Sequence, residues 1–564
     1  METKWNIQKS DESVVHNLVS ELGVNKIVAH LLVLRGITTF DAAKTFFRPQ
    51  ISDLHSPFLM KGMGKAVDRI ELALKKGENI LIYGDYDVDG TTSVAMMYNF
   101  LSRFTDKIAY YIPDRYDEGY GISFKGIDYA QINKFSLIIA LDCGIRAVKQ
   151  VEYASNKQID FVICDHHTPG VNIPRAISVL NPKQSDCNYP YKELSGCGVG
   201  FKLIQAFSEK RKIDFNEIGE YLDLLAVSIG ADIVEMTGEN RALAFYGLKI
   251  INQSPRVGLK ALIEKSGKTG ELSISDVVFG IAPRINAAGR IEHGKIAVQI
   301  LVESDIDKAR ELAEGIENHN KERKELDQNI TKEALEMVDE NKLSTVVYSS
   351  DWHKGVVGIV ASRLIESYYK PTIVLSEKDG ELTGSARSVK GFDLYDALVK
   401  CEHLLEKFGG HKYAAGLTVK KENLKAFISE FEKVVRSTIT KEQLVTQIDV
   451  DMQIELEEVN DQLYRIIKQF APFGPQNRTP NFISKNVTDC GWGKKVGEDK
   501  SHVRLVLNKS ADRITAIGFR MADDFELTND KKEFDICYSI DENTWNGKTS
   551  LQLRLKGIKK PKHL

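Results

Sequence analysis

The stretch Asn79–Gly90, NILIYGDYDVDG, carries a short apolar run into three aspartates at alternate positions, Asp85, Asp87 and Asp89, and closes on a glycine that permits a sharp turn. The pattern returns downstream: KIAYYIP runs into Asp114, LIIAL into Asp142 and FVIC into Asp165, each followed by a segment with helical spacing. Short runs rich in Ile, Leu and Val that alternate with helices are buried parallel strands of an open α/β sheet. Ligands of such sheets sit beyond the carboxyl ends of the strands, so the acids are expected to converge on one edge.

Outward from this core, residues 305–341 are highly charged, with Ile306, Ala309, Leu312, Ala313, Ile316, Leu326, Ile330, Ala334 and Met337 at helical spacing. A long connecting helix or helix pair is expected there. TVVYSS and PTIVLSE then resume an α/β pattern that ends in the glycine-rich KFGGHKYAAG. Beyond Gln447 the apolar residues alternate: Val503, Leu505 and Leu507; Phe534, Ile536, Tyr538 and Ile540; and Leu551, Leu553 and Leu555 after an Asn546-Gly547 turn. A small antiparallel β-barrel fits this spacing. The expected division is an N-terminal segment with a parallel-sheet α/β domain over 1–304, a connecting helix over 305–341, a second α/β domain over 342–445, and the barrel over 446–564.

At 564 residues the chain exceeds what one core usually organises, and its 42% apolar content is ample for several. The N-terminal METKWNIQKSDE is polar and no long apolar run occurs, so neither a secretion signal nor a membrane span is expected and the cytoplasm is the expected compartment. Seven scattered cysteines without a C-x-x-C pair argue against a disulfide framework and a thiolate zinc site. A net charge of -3 provides no global basic field, so any attraction to nucleic acid has to come from local patches.

Three carboxylates on one loop repel one another. At about 4 Å and an effective dielectric of ~20 each like-charge pair costs roughly 4 kcal/mol, which is large beside typical total stabilities of ~5–15 kcal/mol. A bound cation removes the penalty. Asp142 from LDCG, with Asp165, His166 and His167 from CDHH, completes an oxygen-rich set with some imidazole, suited to magnesium or manganese rather than thiolate-bound zinc. DYDVDG also matches the start of an EF-hand loop, but the twelfth position is Met96 rather than Glu, and a strand-like run precedes Asp85. Two divalent ions roughly 3.5–4 Å apart polarise a phosphoryl oxygen, activate water and stabilise a leaving oxygen, which makes phosphoester hydrolysis the reaction class. Asp142 is the expected bridging residue, provided its strand lies between the other two that carry ligands.

These residues resemble the DHH phosphoesterase superfamily and, within it, the RecJ single-strand-specific exonucleases. DYDVDGTTS, PDRYDEGYG (Pro113 to Gly121), LDCG, CDHH and GADIVEM occur in the family's order and spacing, and PRINAAGR (Pro283 to Arg290) follows as in RecJ-type chains. TGSARS (Thr383 to Ser388) and GGHKYAAG (Gly409 to Gly416) resemble the accessory DHHA1 domain, and the terminal β region stands where the family has an oligonucleotide-binding (OB-fold) barrel. The resemblance implies two divalent ions, manganese or magnesium, held by Asp87, Asp89, Asp142, His166 and Asp232, with Asp85 supporting or ligating. Asp142, His166 and His167 are the implied catalytic residues, His167 standing behind the ions or acting on the substrate phosphate. Relatives commonly continue the Asp232 motif to a proline, where this chain has Glu235.

A guanidinium fork can hold a phosphate by two hydrogen bonds. By resemblance Arg115 is one such contact, Ser385 and Arg387 hold the 5′ end, and Arg284 and Arg290 contact the backbone near the metals. Gly409 and Gly410 let backbone approach a phosphate, with His411 as a donor. Tyr116 and Tyr120 are either base-stacking or packing residues. After Glu542 the chain carries Lys548, Arg554, Lys556, Lys559, Lys560 and Lys562 and no acid, giving either a basic binding face or an edge strand protected by lysines. The implied activity is a 5′ to 3′ exonuclease on single-stranded DNA that releases mononucleotides in DNA repair and recombination. It would act as a monomer beside a helicase and a single-strand-binding protein, away from membranes. The rivals are a small-substrate DHH phosphoesterase, which is shorter and lacks the barrel, and a non-catalytic scaffold, which would have lost metal ligands.

Overall fold

The computed structural model describes residues 3–561 apart from residues 292, 379, 511 and 546, so Asn546 of the expected Asn546-Gly547 turn and Lys562 of the basic run lie outside the described residues. Strand β1 (Thr3–Ile7) precedes helices over Glu12–Leu22, Lys26–Val33 and Phe40–Phe47. β1 pairs in parallel with residues Thr446–Val450, from Thr3 against Thr446 to Ile7 against Val450. The three helices bury Val15, Leu18, Val28, Leu31 and Leu32 in one core with Val503, Leu505, Leu507 and Leu553 of the C-terminal strands. The N-terminal segment, expected to group with the first sheet, thus shares a core with the far end of the chain. An amphipathic face announces burial but not the surface that buries it.

Strands β2 (Asn79–Gly84), β3 (Ile108–Tyr111), β4 (Phe135–Leu141), β5 (Asp160–Cys164) and β6 (Ser178–Leu180) form a wholly parallel sheet in the order β3-β2-β4-β5-β6. Alternate residues serve two cores. Ile80, Ile82, Leu137, Ile139 and Leu141 pack with Val94, Met97 and Phe201 from helices Val88–Leu101 and Gly196–Arg211. Leu81, Tyr83, Ile138, Ala140 and Ile163 pack with Ile127, Ala130, Val151 and Ala154 from helices Phe124–Ile132 and Val148–Ser155. Cutting one of these isoleucines to alanine would cost about 2–5 kcal/mol. Double-sided burial is why the strands read as continuous apolar runs, and it fixes the strand ends that present the acids. β4 lies between β2 and β5, as the bridging role expected of Asp142 requires.

One helix, Ile306–Glu336, spans 31 residues, about 46 Å at the usual helical rise. Asp305 caps it by accepting from the backbone of Asp307 and Lys308. It leads to a second sheet of β7 (Thr345–Ser349), β8 (Thr372–Lys378), β9 (Glu381–Arg387), β10 (Lys407–His411) and β11 (Ala414–Lys420), ordered β10-β11-β9-β8-β7, with only β7 and β8 parallel. Its register sets Ser385 opposite Gly416 and Gly416 opposite Gly409, and likewise Arg387, Ala414 and His411. Opposed residues project from the same face, so TGSARS and GGHKYAAG form one surface.

The C-terminal unit contains β12 (Thr446–Val450), β13 (Met452–Gln453), β14 (Phe482–Val487), β15 (Lys494–Val496), β16 (His502–Lys509), β17 (Asp512–Gly518), β18 (Phe534–Trp545) and β19 (Lys548–Lys559). The last seven form one sheet ordered β13-β14-β18-β19-β17-β16-β15. It was expected to be antiparallel and is mixed: β17 runs parallel to β19, and β13 to β14. Alternation identifies strands but not their order, and here β18 intervenes in sequence between two spatial neighbours. β19 is an inner strand where it pairs with both β18 and β17, over Gln552–Arg554, so Arg554 does not protect an edge.

Candidate active site

The loop after β2 is folded tightly enough to require its glycine. A Cβ on Gly90 would lie 2.4 Å from the Asp85 carbonyl oxygen. Asp85 is fully buried; its Oδ1 accepts from Gly121 N at 3.3 Å, and Oδ2 has no hydrogen-bond partner. Asp87 caps the helix Val88–Leu101 by accepting from Gly90 N at 2.9 Å. Asp89 lies in the first turn and is held from three sides. Its Oδ2 accepts from Gly196 N at 2.7 Å, and its Oδ1 accepts from Cys197 N at 2.8 Å and Ser228 Oγ at 2.6 Å.

Asp142, past the end of β4, adopts a left-handed backbone with φ 58°. Asp142 N donates to Cys164 O at 2.8 Å, Tyr120 Oη donates to Asp142 O at 3.0 Å, and Asp142 Oδ1 has no partner. Asp165 is occupied on both oxygens. Oδ2 accepts from Ile145 N at 2.8 Å, and Oδ1 accepts from His166 N, His167 N and His167 Nδ1 at 2.7, 3.0 and 2.8 Å. His166 Nε2 lies 3.3 Å from Asp142 Oδ1, 3.5 Å from Asp232 Oδ2 and 3.8 Å from Asp89 Oδ2. Asp232 is the C-cap of the helix Leu222–Ala231. Asp114, at the end of the second run, instead accepts from Tyr116 N and Asp117 N and caps its own turn.

The charges in this cluster work against one another. Burial, then the neighbouring Asp87, raises the pKa of Asp85. Burial and Asp89 raise that of Asp87, and burial followed by Asp89 and Asp87 raises that of Asp142. Asp232 is pushed up to about 8, by burial first and then by Asp89 and Asp87. Burial lowers the pKa of His166. Asp165 is the contrast: burial opposes its charge, but hydrogen bonding and attraction from His167 outweigh it and hold the carboxyl at about 2. Burial likewise opposes the His167 imidazolium, and Asp165 overcomes it to raise the group to about 9.

Asp89, His166 and Asp232 can each point one donor atom into a space where all lie within 4.8 Å of one another, and so can Asp142, His166 and His167. Asp85 Oδ2, Asp142 Oδ1 and both His166 nitrogens are buried without a hydrogen-bond partner among the described residues. Such atoms are costly unless a proton or cation meets them. The adjacent Cys143 and Cys164 are kept as thiols, since burial first and Asp165 next raise both pKa values. The donor set is therefore carboxylate and imidazole, which fits manganese or magnesium.

The cations expected to meet phosphate divide into two groups. The Arg115 guanidinium stacks 4.8 Å from the Tyr86 ring centre, and Arg290 Nη1 donates to Gly355 O at 2.8 Å. Burial, then Arg115, Arg323 and Arg387, lowers Arg290 to about 10. Four guanidiniums thus gather where the first sheet's domain meets the second. Arg387 Nη1 donates to Ser385 Oγ at 2.7 Å, and both face the first turn of helix Val357–Tyr368, where a Cβ on Gly358 would come within 3.1–3.2 Å of them. Gly409, Gly410 and His411 are exposed on the edge strand β10, and Gly410, with φ 145°, could not carry a Cβ, which would meet Ala414 O at 2.3 Å. Tyr116 donates to Arg290 O and so fixes the residue whose guanidinium reaches across to Gly355.

Arg284 does not join them. It is buried, its Nε paired with Glu317 at 2.6 Å and its Nη atoms donating to Gly280 O at 2.5 Å and Lys265 O at 3.0 Å. The expected phosphate contact is thus corrected to an internal clamp between helix Ala282–Ile291 and the connecting helix. The sequence reading also missed Gly196, Cys197 and Ser228, which hold Asp89. For Gly196 and Cys197 the signal was ELSGCGVG, a capping serine and small residues opening an apolar helix; Ser228, inside the helix Leu222–Ala231, had none. Arg323 on the connecting helix had no local signal.

Family models match three stretches: the N-terminal domain of the DHH family over residues 79–229, the DHHA1 domain over 340–437 and the RecJ OB domain over 450–557. The single-stranded-DNA-specific exonuclease RecJ of Bacillus subtilis (strain 168) is 38% identical over 559 residues, covering 98% of this chain and 70% of that protein. Two crystal structures of RecJ from Thermus thermophilus align over 100% of this chain. The Mn2+ complex has TM-score 0.87, 26% identity and 80% of that chain covered; the Mg2+ complex has 0.80, 25% and 79%. Shared domain order, near-complete coverage and a common backbone lead to one conclusion: the chain belongs to the RecJ family.

Proposed function

We propose that this chain is a 5′ to 3′ exonuclease that hydrolyses single-stranded DNA to 5′-mononucleotides with two divalent ions, manganese or magnesium. The observation that carries the reading is the set of buried donor atoms on Asp85, Asp142 and His166 without a hydrogen-bond partner among the described residues, on the same domain as Arg115 and Arg290, whose guanidiniums lie close enough to influence each other's charge. Asp85, Asp87, Asp89, Asp142, His166 and Asp232 would hold the ions. Bound there, the ions polarise a phosphoryl oxygen, activate water and stabilise the leaving oxygen.

The chain's own residues orient the reaction. Asp89 is immobilised by two amides and a hydroxyl, so it presents a fixed carboxylate rather than a mobile one. Asp165 holds His167 as an imidazolium, suited to donating a hydrogen bond to a substrate phosphate oxygen. Arg115 and Arg290 grip the backbone near the ions. Ser385 and Arg387 bind the 5′ end, with Gly409 and His411 on the same face of the sheet and Gly410 between them in the strand, where glycines keep the backbone open to approach. A single strand threads the cleft, and a duplex is too wide for it.

The C-terminal unit supports the same reading. Lys494, Arg504 and Arg554 lie in one row across β15, β16, β17 and β19, on the face opposite the core residues Val503, Leu505 and Leu553. Exposed Trp492 and Phe519 carry Arg513 and Arg554 at 4.5 and 5.3 Å from their ring centres. Aromatics interleaved with cations bind single strands without reading sequence. In this reading the enzyme works as a monomer in the cytoplasm, in DNA repair and recombination, on strands opened by a helicase and coated by a single-strand-binding protein. The match to the RecJ OB domain weighs against the small-substrate rival, and the presence in the sequence of every expected ligand, with Asp89, Asp142, His166 and Asp232 in groups that could hold an ion, weighs against the scaffold rival.

The test is digestion of a 5′-phosphorylated single strand with manganese, beside a blunt duplex and a hairpin. Mononucleotides from the single strand alone, and none with EDTA, are expected. Equal attack on the duplex, or undiminished activity in EDTA, would overturn the reading.

A further inference from the structure

We propose that Ile233 contacts substrate, packing against the sugar and base of the nucleotide whose phosphate is cut; this deepens the nuclease reading and rests on it. Ile233 is the first residue past the C-cap Asp232 of the helix Leu222–Ala231, and it has φ 58°. Helices often end with a left-handed residue at this position, usually glycine and sometimes asparagine, because a Cβ there crowds the following carbonyl. Isoleucine, branched at that carbon, is among the residues least suited to the region. Among the described non-glycine residues with positive φ, Ile233 alone is β-branched.

Packing gives nothing in return for the strain, since Ile233 is 66% exposed. The turn is fastened on both sides. Asp232 N donates to Ser228 O at 2.9 Å, Glu235 O accepts from Tyr191 Oη at 3.2 Å and Asn240 Nδ2 at 3.0 Å, and Met236 N donates to Pro475 O at 2.8 Å. A strained backbone that its surroundings enforce, bearing an apolar side chain that solvent meets, persists at ligand sites and is otherwise a liability. The location points to the ligand. Asp232 Oδ2 is 3.5 Å from His166 Nε2, and the Ile233 Cα is one peptide, about 3.8 Å, from the Cα of Asp232. A strand whose phosphate lies over these donors brings a nucleoside to that rim, and an aliphatic side chain meets the apolar faces of deoxyribose and base without selecting sequence.

The experiment compares wild type with Ile233→Gly, Ile233→Asn and Ile233→Val on single-stranded oligonucleotides. Ile233→Gly relieves the backbone, so its melting temperature should rise, by about 2–4 °C, while kcat/KM falls about tenfold and manganese affinity, measured by calorimetry, stays at the wild-type value. Ile233→Asn, which also tolerates the left-handed region, should share the kinetic loss, and Ile233→Val should recover most of it. A strand with an abasic terminal nucleotide should narrow the gap between wild type and Ile233→Gly. Wild-type kcat/KM in the glycine variant, a lower melting temperature, or a loss of manganese affinity that matches the loss of activity would each overturn the inference. Failure of wild type itself to digest single strands would instead strike the nuclease reading.

Discussion

His166 Nε2 lies 3.3 Å from Asp142 Oδ1, and among the described residues neither atom has a hydrogen-bond partner. Burial works on the two in opposite senses, lowering the imidazole pKa and, with Asp89, raising that of the carboxyl, so both are driven towards their neutral forms. Two facing lone-pair donors at that separation are stable only around a proton or a cation. In the metal-free protein protons fill that role; in the proposed enzyme an ion would.

A pH signature follows from Asp232, whose pKa rises from 3.8 to about 8 in the metal-free fold. A folded-state value above the unfolded one means that the folded chain keeps a proton the unfolded chain has lost. The stability due to this group is complete below about pH 4 and is lost as pH rises through about 8. Manganese displaces the proton and removes that loss. The difference in melting temperature between manganese-loaded and EDTA-treated protein should therefore widen from pH 5 to pH 8. Calorimetry in buffers of different ionisation enthalpy should show proton release on binding. A constant difference and no proton release would mean that these carboxylates do not bind the ion.

Gly196 should be as necessary as a ligand although it has no side chain. A Cβ there would sit 2.6 Å from both Cβ and Oδ1 of Asp142, and its amide holds Asp89. Alanine is a good helix former at the start of Gly196–Arg211, so Gly196→Ala should fold with an unchanged circular dichroism spectrum. Displacing a supporting contact of a metal ligand typically costs 10–100-fold, and exonuclease activity should fall by about that much. Wild-type turnover in this variant would show that Asp142 has room to spare.

The parts of the site legible in the sequence were those whose position follows from periodicity. Runs of Ile, Leu and Val marked strand ends, and the acids and histidines at those ends, Asp85 to Asp89, Asp142 and Asp165 to His167, had to share an edge. What holds them was hidden. Gly196 and Ser228 reach Asp89 across 107 and 139 residues, and a hydrogen bond of that span leaves no spacing to read. Arg284 failed for a related reason: a guanidinium in a motif looks the same whether it meets a phosphate or Glu317. The N-terminal helices showed apolar faces without saying that strands some four hundred residues on would cover them.

Arg284 and Arg387 should consequently behave as opposites. Arg284→Gln leaves Glu317 charged and unpaired in a buried setting, which costs roughly 3–5 kcal/mol. It should lower the denaturation midpoint while activity per folded molecule persists. Arg387→Gln removes a charge-assisted contact worth about 1.5–3 kcal/mol. It should raise KM for 5′-phosphorylated strands about tenfold or more, change 5′-hydroxyl strands less, and leave the melting temperature nearly unchanged. Thermal denaturation beside steady-state kinetics on the two substrates separates them, and a selective KM effect in Arg284→Gln would restore the role that its burial denies.

The aromatic and basic face of the C-terminal unit makes a claim about length of substrate. Trp492 and Phe519 are 62% and 51% exposed, so ring surface remains open beside Arg513 and Arg554. Arg554 lies where β19 is paired on both sides, with β18 and β17, so this cation cannot be explained as protection of a sheet edge. Stacking is worth about 1–3 kcal/mol per base, so Trp492→Ala and Phe519→Ala should each weaken binding of a long single strand by that amount. Strands too short to span cleft and barrel should be bound as by wild type. Arg504→Gln should also reduce the slope of log affinity against log salt by about 0.7, the value for one phosphate contact on a single strand. Fluorescence titration across a salt series measures both quantities. If the two alanine variants weakened short and long strands alike, the face would be acting through the fold and not by touching DNA.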